Sequence, residues 1–176
     1  MSEVKSSKRS HPLSFPIKMI WLGIFMVIVF DIAITAFSKH YSIAIDPQEV
    51  RCIEEYRVYF MDKKVGEIQR GHIYAFSAKN LEPYFKDGSW LGKYASGIEG
   101  DTIVINKHGV FVNDRKVADG FAVAKKAGLD VETLYRTFTV GKGKIFFTGT
   151  AERSYDSRYY GLVDVSQIVG EATPIW

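Results

Sequence analysis

The chain has 176 residues, 47% of them hydrophobic and 24% charged, which suits one globular domain with length left for a membrane segment. A formal charge of +3 without a basic, aromatic-interleaved stripe gives no argument for nucleic acid, and none is expected as a partner. One cysteine, Cys52, excludes a disulfide framework and any CxxC motif, and four scattered histidines give no zinc spacing, so no metal or other cofactor is expected.

Residues 1–16 are polar and basic, with Lys5, Lys8 and Arg9 against Glu3, and read as a short tail. From Ile17 to Phe37 the chain is apolar for 21 residues apart from Lys18, Asp31 and Thr35. As a helix this run is roughly 31 Å long, enough to cross a bilayer core. Met19 to Phe30 has no polar face, unlike the helix of a soluble core. Basic residues ahead of the span predict a cytoplasmic N-terminus and an exported C-terminal domain. A cleavable signal peptide would have a shorter apolar core and a small-x-small site, which Ala33-Ile34-Thr35-Ala36-Phe37 does not supply. The expected organisation is therefore a tail over 1–16, an anchor in the lipid bilayer over 17–38, and a domain over 39–176.

Ser38 to Glu55 lacks clear periodicity and carries the turn signal Asp46-Pro47. Strands are predicted at Tyr56–Asp62, His72–Ser77, Trp90–Ala95, Asp101–Asn106, Val110–Asn113, Phe138–Val140, Ile145–Thr148 and Ile168–Ile175. Lys107-His108-Gly109 marks a hairpin, and Gly141-Lys142-Gly143-Lys144 reads as a turn, since no GKS/T or GxGxxG follows. A short helix is the expectation within Ala118–Leu134. Many short strands and almost no helix predict a mainly β, barrel-like domain.

Lys93 stands out among these elements. Period-two alternation sends Leu91, Lys93 and Ala95 to one face. An ammonium on an apolar face loses hydration, which lowers a lysine pKa. A drop of about two to three units from a value near 10.4 leaves roughly 5–30% of the amine neutral at pH 7, a usable base. Without further context, the alternative is a surface lysine on an edge strand. Further on, Asp156 and Arg158 read by themselves as an ion pair in a polar turn.

Ser154-Tyr155-Asp156-Ser157-Arg158-Tyr159-Tyr160-Gly161-Leu162-Val163 resembles the last conserved box of type I signal peptidases. Lys93, followed by Gly97-Ile98-Glu99-Gly100-Asp101, resembles their catalytic-lysine box, with Asp101 eight residues after the lysine. Arg70-Gly71-His72-Ile73-Tyr74-Ala75-Phe76 is similar to an intervening Arg-Gly-Asp box, with His72 in the aspartate's place. Small size, a single span and Val110-Phe111-Val112-Asn113 after the Gly-Asp box look most like the TraF-type conjugative transfer signal peptidases. The resemblance implies a signal-peptidase-like β-barrel behind one transmembrane helix in a bacterial inner membrane, with residues 39–176 in the periplasm. Its partner would be an exported precursor polypeptide, a pre-pilin or leader peptide.

The family expects a serine nucleophile after the span and before an aromatic strand. Here that position is Cys52, 19 residues before Gly71; the alternative, Ser42, lies 29 before it. The resemblance implies attack by Cys52, proton transfer to Lys93, orientation of the Lys93 amine by Ser154, and a structural pairing of Asp156 with Arg158. A thiol of pKa about 8.5 depends less on its base than a hydroxyl does. Many relatives place a hydroxyl two residues before the nucleophile as an oxyanion donor; here that residue is Val50, and losing one donor typically costs about 10²–10³ in rate. The acyl-enzyme would be released by water or by a substrate amine. A chain that kept the fold and lost the chemistry, serving as an assembly or scaffold component, is the alternative reading.

Overall fold

The computed structural model describes residues 14–49 and 51–176; most of the predicted tail, and Val50, lie outside them. The chain divides into two units, Met1–Lys39 and His40–Trp176.

The first unit contributes one helix, α1 (Ser14–His40), longer at both ends than the predicted apolar run. Pro16 falls in its first turn, where the missing N–H costs no intrahelical bond. Its side chains from Phe15 onward are exposed. A helix apolar on every side needs an apolar surrounding, and this one is long and apolar enough to cross a membrane.

The second unit is mainly β, as the turn-punctuated sequence predicts. Its strands are β1 (Tyr41–Ile45), β2 (Val58–Asp62), β3 (Ile73–Ser77), β4 (Trp90–Gly97), β5 (Thr102–Asn106), β6 (Gly109–Val112), β7 (Arg115–Ala118), β8 (Arg136–Thr139), β9 (Lys144–Thr148), β10 (Val163–Asp164) and β11 (Ile168–Pro174), with a one-turn helix α2 (Ser157–Tyr160). They form a seven-stranded sheet ordered β1-β2-β11-β3-β4-β9-β10 and a four-stranded sheet ordered β7-β6-β5-β8. The pairings are antiparallel.

The central strand β3 shows how the large sheet holds its site. Tyr74 and Phe76 point to one face, where they pack with Leu91, Ala95, Ile145 and Phe147. Ile73 and Ala75 point to the other, with Ile53, Tyr59, Met61 and Ala172. Phe76 and Phe147 stack at 4.8 Å between centroids, and burying each such side chain contributes about 1.5–3 kcal/mol. The next residue back, Phe146, faces the small sheet and joins Ile103, Ile105, Val110 and Val112.

Three expectations are revised. The segment Ser38–Glu55, read as aperiodic, contains the edge strand β1, with Ile43 and Ile45 exposed. The short helix expected within Ala118–Leu134 is confined to one 3-10 turn, Val131–Leu134, and most of the rest is turns; Asp130 caps the 3-10 turn by accepting the Glu132 N–H. The strand β7 is added after a two-residue turn at Asn113-Asp114, both with positive φ, a conformation that Asn and Asp tolerate well.

Candidate active site

Strand β4 delivers Lys93. The burial along it alternates as the sequence predicts: Trp90 and Gly92 are exposed, Leu91, Lys93 and Ala95 buried. Lys93 is 0% exposed, opposite Tyr74 of β3. Its Nζ donates to Ser154 Oγ at 2.9 Å. A wholly buried amine is no surface lysine, so the edge-strand alternative does not describe this residue.

Ser154 is itself 1% exposed and belongs to the loop between β9 and α2. That loop is held from beneath by a buried ion pair. Asp156 caps α2, accepting the Arg158 N–H at 3.2 Å, and also accepts the Gly149 N–H at 3.2 Å. Arg158 grips it with two parallel bonds of 2.8 Å, from Nε to Oδ1 and from Nη2 to Oδ2. Its remaining donors reach the main-chain oxygens of Ser154, Asp119 and Gly120 at 3.3, 2.6 and 3.0 Å. Burial works against the guanidinium charge, but the Asp156 carboxylate outweighs it and raises the Arg158 pKa above its usual value. The pair is 0% and 1% exposed, an internal strut. The ion pair that the turn's composition predicted is formed, but inside the domain instead of on its surface.

Cys52 sits between β1 and β2, partly buried, and is a free thiol. Cys52 and Lys93 both line a cavity of about 380 Å³. Its walls are mostly apolar, with Ile53, Tyr59, Met61, Ala75 and Ala172 among them. Burial foremost, then the nearby Asp46 carboxylate, pushes the Tyr59 phenol up to about 12, so it stays protonated and donates to the Tyr56 carbonyl at 3.1 Å. Ser42 pairs with Met61 along β1 and is not among the residues lining this cavity. Cys52 therefore shares the cavity with the buried lysine, and Ser42 does not. Val50, whose side chain lacks the oxyanion hydroxyl, lies outside the described residues.

Two further matched positions frame the site. Asp101 is 4% exposed and accepts from Ile98 N–H at 2.8 Å, Asn113 Nδ2 at 2.7 Å and Arg70 Nε at 2.9 Å. Burial alone would raise its pKa; the three donors outweigh it and hold the carboxyl below its usual range. Asp101 thus ties the approach to β3 to the β5–β6 hairpin. Arg70 and Asn113, absent from the predicted site, could have been found from the Arg-Gly and Val-Asn motifs. His72, in place of the family's aspartate, meets Glu171 at 2.6 Å on the surface. Among the described residues no group of three or more His, Cys, Asp or Glu side chains could hold a metal ion.

A signal peptidase I of Bacillus caldolyticus is 32% identical over 117 residues, 61% of this chain and 60% of that protein. The chain thus spans three fifths of that relative's length. A signal peptidase I of Bacillus licheniformis is 26% identical over 181 aligned positions, covering 97% of this chain and 91% of that protein. The crystal structure of a signal peptidase I from Enterococcus faecalis V583 superposes with a TM-score of 0.40 at 24% identity, over 62% of this chain and 100% of that one. Residues 16–176, nearly the whole chain, match the sequence profile described as signal peptidase, peptidase S26. On that match, this chain belongs to the signal peptidase family, peptidase S26.

Proposed function

We propose that this chain is a membrane-anchored endopeptidase that cuts exported precursor polypeptides, with Cys52 as nucleophile and Lys93 as general base. The observation that carries the reading is the wholly buried Lys93, whose amine lies 2.9 Å from Ser154 Oγ and which lines the same cavity as Cys52.

Pairing of β4 with β9 begins at Tyr94, so the edge of Trp90–Lys93 extends past the end of β9. An extended precursor segment can lie along that edge and place apolar side chains in the cavity. Cys52 Sγ attacks the scissile carbonyl carbon while Lys93 Nζ takes the thiol proton. The oxyanion collapses, the C–N bond breaks, and Lys93 returns the proton to the departing amine. Water then attacks the thioester, again losing a proton to Lys93, and the cysteine is regenerated with a new carboxylate as product. Ser154 keeps the amine aimed throughout, and Asp156 and Arg158 keep Ser154 in place.

Residues 17–38 are assigned to the bilayer of a bacterial inner membrane, the N-terminus to the cytoplasm and 39–176 to the periplasm. The conjugative pre-pilin is the substrate favoured by Val110-Phe111-Val112-Asn113 and the small single-span chain. The test uses full-length protein in membranes with a pre-pilin precursor. Processing is expected from wild type and to be lost in Cys52→Ala and Lys93→Ala, with a thioester adduct on Cys52 trapped by mass spectrometry. Full processing by Cys52→Ala rejects the nucleophile, and full processing by Lys93→Ala rejects the base. Wild type that binds precursor yet never cuts it leaves the scaffold reading standing. Since Cys52 is the only cysteine, its labelling by an impermeant maleimide from the periplasmic side tests the topology.

A further inference from the structure

Among the described residues, the segment that carries Cys52 has no helix or strand between the end of β1 at Ile45 and the start of β2 at Val58. Local backbone pairing therefore does not fix the thiol; contacts from elsewhere must. Ile53 is packed into the core, and further contacts come from the three residues that follow β9. Ala151 N–H donates to the Cys52 carbonyl at 3.1 Å. Thr150 Oγ1 accepts from the Glu54 N–H at 3.1 Å and donates to Glu55 Oε2 at 2.8 Å. One hydroxyl thus engages two successive residues, two and three positions beyond the nucleophile candidate. Gly149 lets the segments come this close, because a side chain there would overlap both the Cys52 carbonyl and the Ser154 hydroxyl.

We propose that Thr150 is a positioning residue: its hydroxyl latches the Cys52 turn to the segment that leads into Ser154, and so fixes the thiol relative to the Lys93 amine. The inference rests on the reading of Cys52 as nucleophile, but its geometry is independent of that reading. Both bonds lie at the surface, where water competes, so their main effect is on geometry rather than on global stability. A thiol free to wander by 1 Å can lose about 10²-fold in rate. Only a side chain that donates and accepts from one oxygen close to the main chain closes this latch. Serine has that chemistry; the isosteric valine does not.

The experiment compares wild type, Thr150→Val and Thr150→Ser as full-length protein in membranes. It measures kcat and KM for precursor cleavage, the rate at which iodoacetamide alkylates Cys52 across pH, and amide exchange at Glu54. Thr150→Val is expected to lower kcat about 10-fold or more with KM changed less than about twofold, to alter the alkylation pH profile, and to speed exchange at Glu54. Thr150→Ser is expected to stay within about threefold of wild type on each. A Thr150→Val protein with unchanged kcat, alkylation and exchange overturns the latch, as does a serine variant impaired as badly as the valine one. If Cys52→Ala still cuts precursor, the nucleophile reading falls, and the latch is judged by alkylation and exchange alone.

Discussion

Replacing Gly149 by alanine tests the site where three of its parts converge. The backbone at Gly149 is not in the left-handed region, so alanine meets no conformational penalty and the perturbation is purely steric. The added Cβ would lie 2.8 Å from Ser154 Cβ and overlap both Ser154 Oγ and the Cys52 carbonyl oxygen. Carbon atoms pack best at about 3.5–4.0 Å, so Ser154 must retreat by about 0.7–1.2 Å. A retreat of that size takes the 2.9 Å Lys93–Ser154 hydrogen bond out of range. Overpacking of this kind costs about 1–3 kcal/mol of stability, and misplacing the proposed base relative to the proposed nucleophile is expected to cost about 10²-fold in rate. The assay is precursor cleavage at saturating substrate beside a thermal melt. Gly141→Ala serves as control, since a Cβ there meets nothing within 4 Å. Turnover within threefold of wild type in Gly149→Ala would refute the argument that this close approach aligns the site.

Arg158→Met leaves the wholly buried Asp156 carboxylate without its partner, and breaking such a pair destabilises by about 3–5 kcal/mol; urea denaturation measures it, and a loss under 1 kcal/mol would show that the strut bears little of the loop. Asp101 has its pKa depressed in the folded state, so the stability it contributes is full above the unfolded value near 3.9 and is lost as pH falls through the lower folded value. Thermal melts between pH 6 and pH 3 are therefore expected to fall more steeply for wild type than for Asp101→Asn; parallel slopes would remove Asp101 from the account of acid stability. Iodoacetamide is expected to abolish cleavage with a stoichiometry of one label per chain, and retained activity after complete labelling of Cys52 would rule out thiol chemistry. Ala172→Leu projects extra bulk into the cavity and is expected to raise KM several-fold while changing kcat little, which precursor titration reads directly.

Much of this protein is written locally. The all-round apolar run of α1, the alternation that buries Leu91, Lys93 and Ala95, and the Lys107-His108-Gly109 hairpin are patterns of neighbouring residues, which propensity and period set before any tertiary contact forms. The motifs around Lys93 and Ser154 to Arg158 could likewise be recognised, because they consist of particular side chains at close spacing in the sequence. Edge strand β1 was hidden because its exposed Ile43 and Ile45 break the inward-outward rule. The segment around Ala118–Leu134 has helix-forming composition, but its start is claimed by Arg158, whose guanidinium holds the carbonyls of Asp119 and Gly120 from 39 and 38 positions away. Tertiary structure alone decided that Lys93 meets Ser154 across 61 residues, that Asp156 and Arg158 are interior, and that Cys52 rather than Ser42 lines the lysine's cavity. These are outcomes of which strand ends beside which loop, and sheet order joins residues by hydrogen bonding and burial at distances along the chain that no local pattern encodes.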